Sequence, residues 1–283
     1  MDKLIAAVIV LYHPDMERLL KNIESYIASV DRLYLIDNTP VLNAYFSQNN
    51  VSKIHYFSYM KNMGIGCALN KGVELASKDG YQWVLTMDQD SKLRTEDVFI
   101  MYEYAQANFL NNHIAIVAAC PSSEKRISKD LYQKCITVYT SGNLLLVDAW
   151  KKVGGWDEWL FIDCVDHMFN YKLITSGYSI IQLNNIRMTH CLGIPKVIKF
   201  CGIYICTVSN HHWIRRYYST RNRLYMYKHT SGVFLKFVHN DKKTFIREFL
   251  KILFFETDKL KKIYSIYQGI IDFKHNCFGE KEW

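Results

Sequence analysis

Asp88-Gln89-Asp90 follows the apolar run 83–87 and precedes Ser91. Two carboxylates two residues apart at a strand end can reach a divalent cation and a ribose from one short loop. Mg²⁺ and Mn²⁺ prefer hard oxygen ligands and complete their shell with substrate phosphates. A solvated acidic turn has the same composition; the position at the end of a buried strand favours the functional reading. A second cluster, Asn62-x-Gly64-x-Gly66-x-Ala68-x-Asn70-x-Gly72, combines small residues that let a backbone approach a ligand with a helix start that favours anions. A glycine-bearing loop packed on a sheet would read the same way. In the third, Phe161-Ile162-Asp163-Cys164-Val165-Asp166, acidic residues open a helix. They either complement its dipole or, facing a cleft, supply a general base.

The elements that must position these groups alternate in type. Residues 4–11 form a near-continuous apolar run, as expected of a strand buried on both faces. Leu19, Leu20, Ile23, Tyr26 and Ile27 share one helical face. Strands are expected at 33–36, 54–57, 83–87 and 114–119, with helices from Asn62 through Ala76 and over 95–110. This alternation predicts a mostly parallel sheet with right-handed crossovers. Ligands then sit at the carboxyl ends of the strands, where Asp37-Asn38, Asn62 to Asn70 and Asp88 to Asp90 should converge. Further on, two short strands are expected around Ser141-Gly142-Asn143 within 137–147, and a helix over 163–175 is closed by Gly177.

Composition narrows the class. The chain has 283 residues, 49% hydrophobic and 22% charged, with 13 Gly and 4 Pro, which argues for a folded body and against long disorder. The most apolar late stretch, 192–208, is broken by Pro195, Lys196 and Lys199, so it does not read as a membrane-spanning helix. Asp2 and Lys3 run directly into the first strand, unlike a signal peptide. The eight cysteines include no Cys-x-x-Cys and read as reduced, mostly buried thiols of a cytosolic protein.

Taken in order, Val8-Ile9-Val10-Leu11-Tyr12, Asp37-Asn38, the Asn-Gly-Gly-Ala-Asn-Gly run, Asp-Gln-Asp, Ser-Gly-Asn, Gly154-Gly155-Trp156-Asp157-Glu158 and Phe-Ile-Asp-Cys-Val-Asp resemble the inverting glycosyltransferases of family 2. The resemblance covers roughly residues 4–190. Phe-Ile-Asp-x-Val-Asp, Thr189-His190-x-x-Gly193 and Arg216-Tyr217-Tyr218-x-x-Arg221-Asn222 are most similar to the bacterial rhamnosyltransferases of that family. The resemblance implies an α/β GT-A fold with a mostly parallel central sheet flanked by helices. It also implies transfer of L-rhamnose from dTDP-L-rhamnose to a lipid-linked precursor of O-antigen or another surface polysaccharide. By position, Tyr12 and Asp37 would contact base and sugar, and Asn62, Gly64 and Asn70 would line the nucleotide-sugar site. Asp88 and Asp90 would hold Mg²⁺ or Mn²⁺ and the diphosphate, with His190 close by. Asp166 matches the family's base, Asp163 would support it, and Arg221 with Asn222 would serve the diphosphate or the acceptor. Val165, His167 and Lys172 depart from the commoner residues of the family pattern, which bears on donor and acceptor identity more than on reaction type.

Residues 1–191 carry 18 basic and 20 acidic side chains, and residues 192–283 carry 17 and 7. An anionic partner is expected for the C-terminal third. Ile246, Leu250, Leu253, Leu260, Tyr264, Tyr267 and Ile271 mark one face of one or two helices, with lysines around it. That face either packs on the catalytic body or attaches to an anionic membrane. The expected division is a nucleotide-sugar half over 1–118, an acceptor half with the base over 119–210 and a basic helical region over 211–283. The expected location is the bacterial cytoplasm, peripheral at the inner face of the cytoplasmic membrane. A UDP-hexose or UDP-galactofuranose donor is the neighbouring alternative. From another class, a non-catalytic nucleic-acid- or polysaccharide-binding protein would use the basic third but leave the carboxylates without a purpose. Nucleic acid is therefore not the expected partner.

Overall fold

The computed structural model describes residues 5–48, 51–122, 130–190, 196–200 and 203–283. Contacts divide the chain into two units, Met1–Glu158 with Val165–Cys191, and Trp159–Cys164 with Leu192–Trp283.

In the first unit, β1 (Ile5–Leu11) is buried at every position, as its unbroken apolar run requires. Helix α1 (Met16–Glu24) starts where Asp15 accepts the Arg18 backbone N–H, and it buries Leu19 and Ile23. There follow β2 (Arg32–Asp37), α2 (Ala44–Gln48), β3 (Ile54–Ser58), α3 (Ile65–Lys78), β4 (Trp83–Asp88), the two-residue β5 (Ser91–Lys92) and α4 (Thr95–Asn112). Then come β6 (Ile114–Pro121), β7 (Tyr132–Cys135), β8 (Asn143–Leu146), α5 (Val147–Val153), α6 (Val165–Thr175) and β9 (Ser179–His190). The strand order is β3-β2-β1-β4-β8-β6-β9-β5, with β7 also on β9. Strand β1 pairs in parallel with β2 and β4, and β2 with β3. Helix α3 lies so close to β1 that a Cβ at Gly72 would stand 2.4 Å from Val8 Cγ1.

The sheet is mixed where a mostly parallel one was expected. Strand β8 enters antiparallel between β4 and β6, and β5 and β7 run antiparallel to β9. The Gly142 turn, at φ 76°, aims β8 backwards: its N–H donates to Thr86 O and its carbonyl accepts from Ala119 N–H, both at 2.8 Å. Of the two strands expected in 137–147 only β8 forms. The Thr137 hydroxyl and the Val138 carbonyl instead accept from Asn170 Nδ2 at 3.1 and 2.7 Å, holding that stretch against α6. The expected boundary near 118 falls inside this sheet, since β8, β6 and β9 continue it.

In the second unit, β10 (Lys196–Phe200) and β11 (Ile203–Val208) form an antiparallel hairpin. Helices α7 (Trp213–His229), α8 (Leu235–Phe255) and α9 (Lys259–Lys274) follow. Gly269 lets α9 approach α7, because a Cβ there would lie 2.8 Å from Tyr217 O. Paired charges join the helices: Arg216 to Glu248 and Glu256, Arg223 to Glu248 and Asp241, and Lys262 to Glu256. Removing one member of such a buried pair strands the other charge, which costs about 3–5 kcal/mol. Among the described residues no helix is long and apolar enough to cross a membrane.

Candidate active site

Parallel register brings the first two polar clusters together. Val10 pairs with Asp88 and Leu11 with Asp37, so both aspartates sit at the carboxyl ends of the strands flanking β1. Tyr12, the next residue of the chain, is 47% exposed at that edge. Its N–H donates to Gln89 Oε1 at 2.9 Å, and Gln89 Nε2 donates to its carbonyl at 3.2 Å. Asn22 Nδ2 holds the Gln89 carbonyl at 3.0 Å. The middle residue of Asp-Gln-Asp is thus the fastener, and the two half-buried aspartates flank it.

The turn is braced from below. Ser141 Oγ accepts the Asp88 N–H at 2.9 Å and donates to Ser91 Oγ at 2.9 Å. Ser91 pairs with His190 across β5 and β9, so the backbone of His190 stands beside the residue following Asp90. The His190 side chain lies outside the described residues. Among the described residues, no group of three or more His, Cys, Asp or Glu side chains is gathered for a metal. The two carboxylates nevertheless suit a hard cation, because Mg²⁺ sites are commonly one or two carboxylates completed by substrate phosphates and water.

Three expected ligand residues are engaged within the protein. Asp37 is fully buried; its carboxylate accepts from Thr39 N–H and Tyr56 O–H, both at 2.8 Å. Burial, with Asp37 adding to it, pushes the Tyr56 hydroxyl pKa up, so this hydroxyl stays a donor. Asp37 as placed frames the loop after β2. Asn62 accepts the Gly64 N–H at 3.0 Å, and Gly64, at φ 82°, starts α3 in a conformation suited to glycine. Asn38 Nδ2 donates to Gly64 O at 2.9 Å, joining this loop to the end of β2. Asn70 uses both ends of its amide. It donates to Trp156 O and Glu158 Oε1 and accepts from Trp150 Nε1 and Trp156 N–H, at 2.8–3.0 Å. It ties α3 to the Gly-Gly-Trp-Asp-Glu loop, with no donor left for a nucleotide.

Asp166 lies in the first turn of α6, with its side chain 21% exposed. It lines a cavity of about 10 Å³ together with Thr86 and Asn143, so it packs beside β4 two residues before Asp88. Its Oδ1 accepts the His167 N–H at 2.8 Å, and His167 Nδ1 is 2.7 Å from Thr137 Oγ1. The carboxylate is thus partly exposed and held by its own backbone at a helix start.

In the second unit, Asp163 pairs with Arg215 at 3.0 Å. Phe161, Asp163 and Cys164 all have φ between 62° and 66°, which is why the expected helix begins at Val165 and not at 163. Asn222 Nδ2 donates to Leu160 O at 2.7 Å and Ile162 O at 2.6 Å, with Asp163 O at 3.1 Å. Arg221 is 1% exposed, donates to Leu160 O and Gly279 O, and lies against the rings of Tyr217, Tyr218 and Phe278. In the structure Arg221 serves as a latch on backbone carbonyls. Asn22 was not singled out from sequence, and Gln89 and Ser141 were named only inside the Asp-Gln-Asp and Ser-Gly-Asn motifs, with no role of their own.

Residues 8–152 match the family model described as Glycosyl transferase family 2. The dTDP-rhamnosyl transferase RfbF of Shigella flexneri is 26% identical over 248 residues, covering 78% of this chain and 79% of that protein. The structure resembles S. aureus TarS 1–349 in complex with UDP-GlcNAc, with TM-score 0.61 and 13% identity over 94% of this chain and 80% of that one. It also resembles GalNAc-T7 with UDP, GalNAc and Mn²⁺, with TM-score 0.54 and 13% identity over 70% of this chain and 44% of that one. At these identities the two solved structures speak for the fold.

Proposed function

The chain belongs to glycosyl transferase family 2, and from that premise we propose that it moves L-rhamnose from dTDP-L-rhamnose to a hydroxyl of a lipid-linked precursor of a bacterial surface polysaccharide. It is a glycosyltransferase of GT-A-like fold; donor, acceptor and site roles are the proposal. The observation that carries the proposal is the register of β1, which sets Tyr12 and Asp88-Gln89-Asp90 at one end of the sheet, with Asp166 beside Thr86 of β4. The rhamnosyl assignment draws support from the Shigella relative.

Tyr12 presents an exposed ring to the base, held at its backbone by Gln89. Asp88 and Asp90 would hold Mg²⁺ or Mn²⁺, with His190 nearby, and the chemistry such an ion supplies is neutralisation of charge on the departing nucleoside diphosphate. Asp166 takes the proton of the acceptor hydroxyl as that oxygen attacks the anomeric carbon from the face opposite the leaving group, which inverts the centre. A lipid-borne acceptor places the work at the inner face of the cytoplasmic membrane.

Calorimetric titration of a nucleotide-sugar panel, with and without Mn²⁺ or Mg²⁺, tests this reading. Metal-dependent binding that prefers dTDP-L-rhamnose is expected. Preference for a UDP-sugar would discard the donor and keep the mechanism, and binding to none would overturn the proposal.

A further inference from the structure

The outward face of α8 is apolar and cationic together. Ile246, Leu250 and Phe254, spaced one turn apart, are 60%, 46% and 66% exposed. Lys236, Lys243 and Arg247 are exposed and, at 3.6 residues per turn, share their face. The periodicity that ordinarily marks a core face is here turned to solvent.

The carboxylates of this helix point the other way. Asp241 binds Arg223 and Tyr227, Glu248 binds Arg216 and Arg223, and Glu256 at the helix end binds Arg216 and Lys262. Charge is therefore sorted: negative groups engaged within the unit, positive groups left outside with exposed Ile, Leu and Phe. The chain continues the pattern past the turn at exposed Asp258, with Leu260 84% exposed. Contiguous exposed apolar surface on a soluble body marks an interaction site.

We propose that this face of α8 docks in the plane of an anionic lipid surface, with Ile246, Leu250 and Phe254 entering the headgroup boundary and Lys236, Lys243 and Arg247 on the phosphates. Charge complementarity selects this occupant. A second copy meeting the same face across a two-fold axis would set Lys243 and Arg247 against cations, with the α8 carboxylates already engaged. An anionic bilayer satisfies both halves of the stripe, since interfacial helices bind by buried apolar area plus attraction of basic residues to acidic headgroups. The inference extends the proposal of a lipid-linked acceptor but stands on this surface alone, whatever the donor.

The test is flotation of the full chain with vesicles of phosphatidylcholine alone and with phosphatidylcholine containing phosphatidylglycerol. Binding to the second only is expected, with release at high salt as the screening length shrinks. Lys243→Glu with Arg247→Glu should weaken binding at least about tenfold. Ile246→Ser with Phe254→Ser should weaken it while leaving the melting temperature and donor binding unchanged. Equal binding to neutral vesicles, or indifference to the charge reversals, would overturn the proposal. So would a variant that alters only the sedimentation state, which would assign the face to a second copy. Donor calorimetry on the same samples separates this failure from failure of the rhamnosyl reading.

Discussion

Gln89 and Tyr12 exchange two hydrogen bonds, side chain to backbone in both directions, at 2.9 and 3.2 Å. The pair joins the end of β1 to the turn carrying Asp88 and Asp90, so Tyr12 and the two aspartates proposed for the donor site are tied together. Gln89→Ala should weaken donor binding about thirtyfold, from two bonds of about 1 kcal/mol each. Isothermal titration reads this directly, and an unchanged affinity would show that the pair does not order the donor site.

Asn222 is expected to matter through backbone carbonyls. Its Nδ2 serves a segment whose Phe161, Asp163 and Cys164 hold left-handed backbone, a conformation that costs side-chain-bearing residues about 1–3 kcal/mol each. Asn222→Ala should lower stability by about 1–3 kcal/mol, the cost of unpaired buried acceptors. Asn222→Asp should be worse, since it sets a carboxylate against those oxygens. Thermal melts of both variants give the order, and an aspartate variant more stable than the alanine one would contradict the latch.

Gly155 is fixed by two constraints at once. Its φ is 68°, and a Cβ there would stand 2.4 Å from Asn70 Oδ1 and 2.8 Å from Trp150 Nε1. Gly155→Ala should therefore cost at least about 2 kcal/mol, strain and overpacking together. Denaturant unfolding of the variant measures it, and a cost near zero would mean that the Asn70 knot yields easily.

Acid should loosen the second unit. Burial works to raise the Glu248 pKa, but the Arg223 hydrogen bond and the charges of Arg223 and Arg216 outweigh it and hold the carboxyl below its usual range. Asp272 is held down likewise, by Lys281 and Tyr217 against burial. The unfolded chain then binds more protons than the folded one. The stabilisation is fully present above the ordinary carboxylate range of about 4 and is lost as pH falls through the depressed folded values. Melting temperature should drop steeply on acidification below about pH 4. Glu248→Gln should be less stable at neutral pH and show a shallower acid slope; an unaltered slope would remove Glu248 from the account.

Much of the sheet was legible because β1, β2, β4 and β6 are apolar runs bounded by polar turns, and register then brought Asp37 and Asp88 to one edge. Direction was not legible. The run that becomes β8 looks the same in either sense, and only the Gly142 turn reverses it. Residue type also left open which polar group meets a ligand and which meets the protein. Asp37, Asn70 and Arg221 have the chemistry of ligand contacts, yet their partners are Tyr56 and Thr39, two tryptophans and a glutamate, and backbone carbonyls. Those partners arrive from distant sequence, up to 88 residues away for Asn70. The α8 stripe was visible as a period of apolar residues; that it faces outward depended on where its carboxylates found arginines.

The most direct measurement is the rate of dTDP release from dTDP-L-rhamnose with acceptor, for the wild-type chain and for Asp166→Asn, alongside donor binding to each. Loss of the base should lower kcat at least about hundredfold while donor affinity holds. Near wild-type turnover by Asp166→Asn would contradict the assignment of the base and, with it, the mechanism.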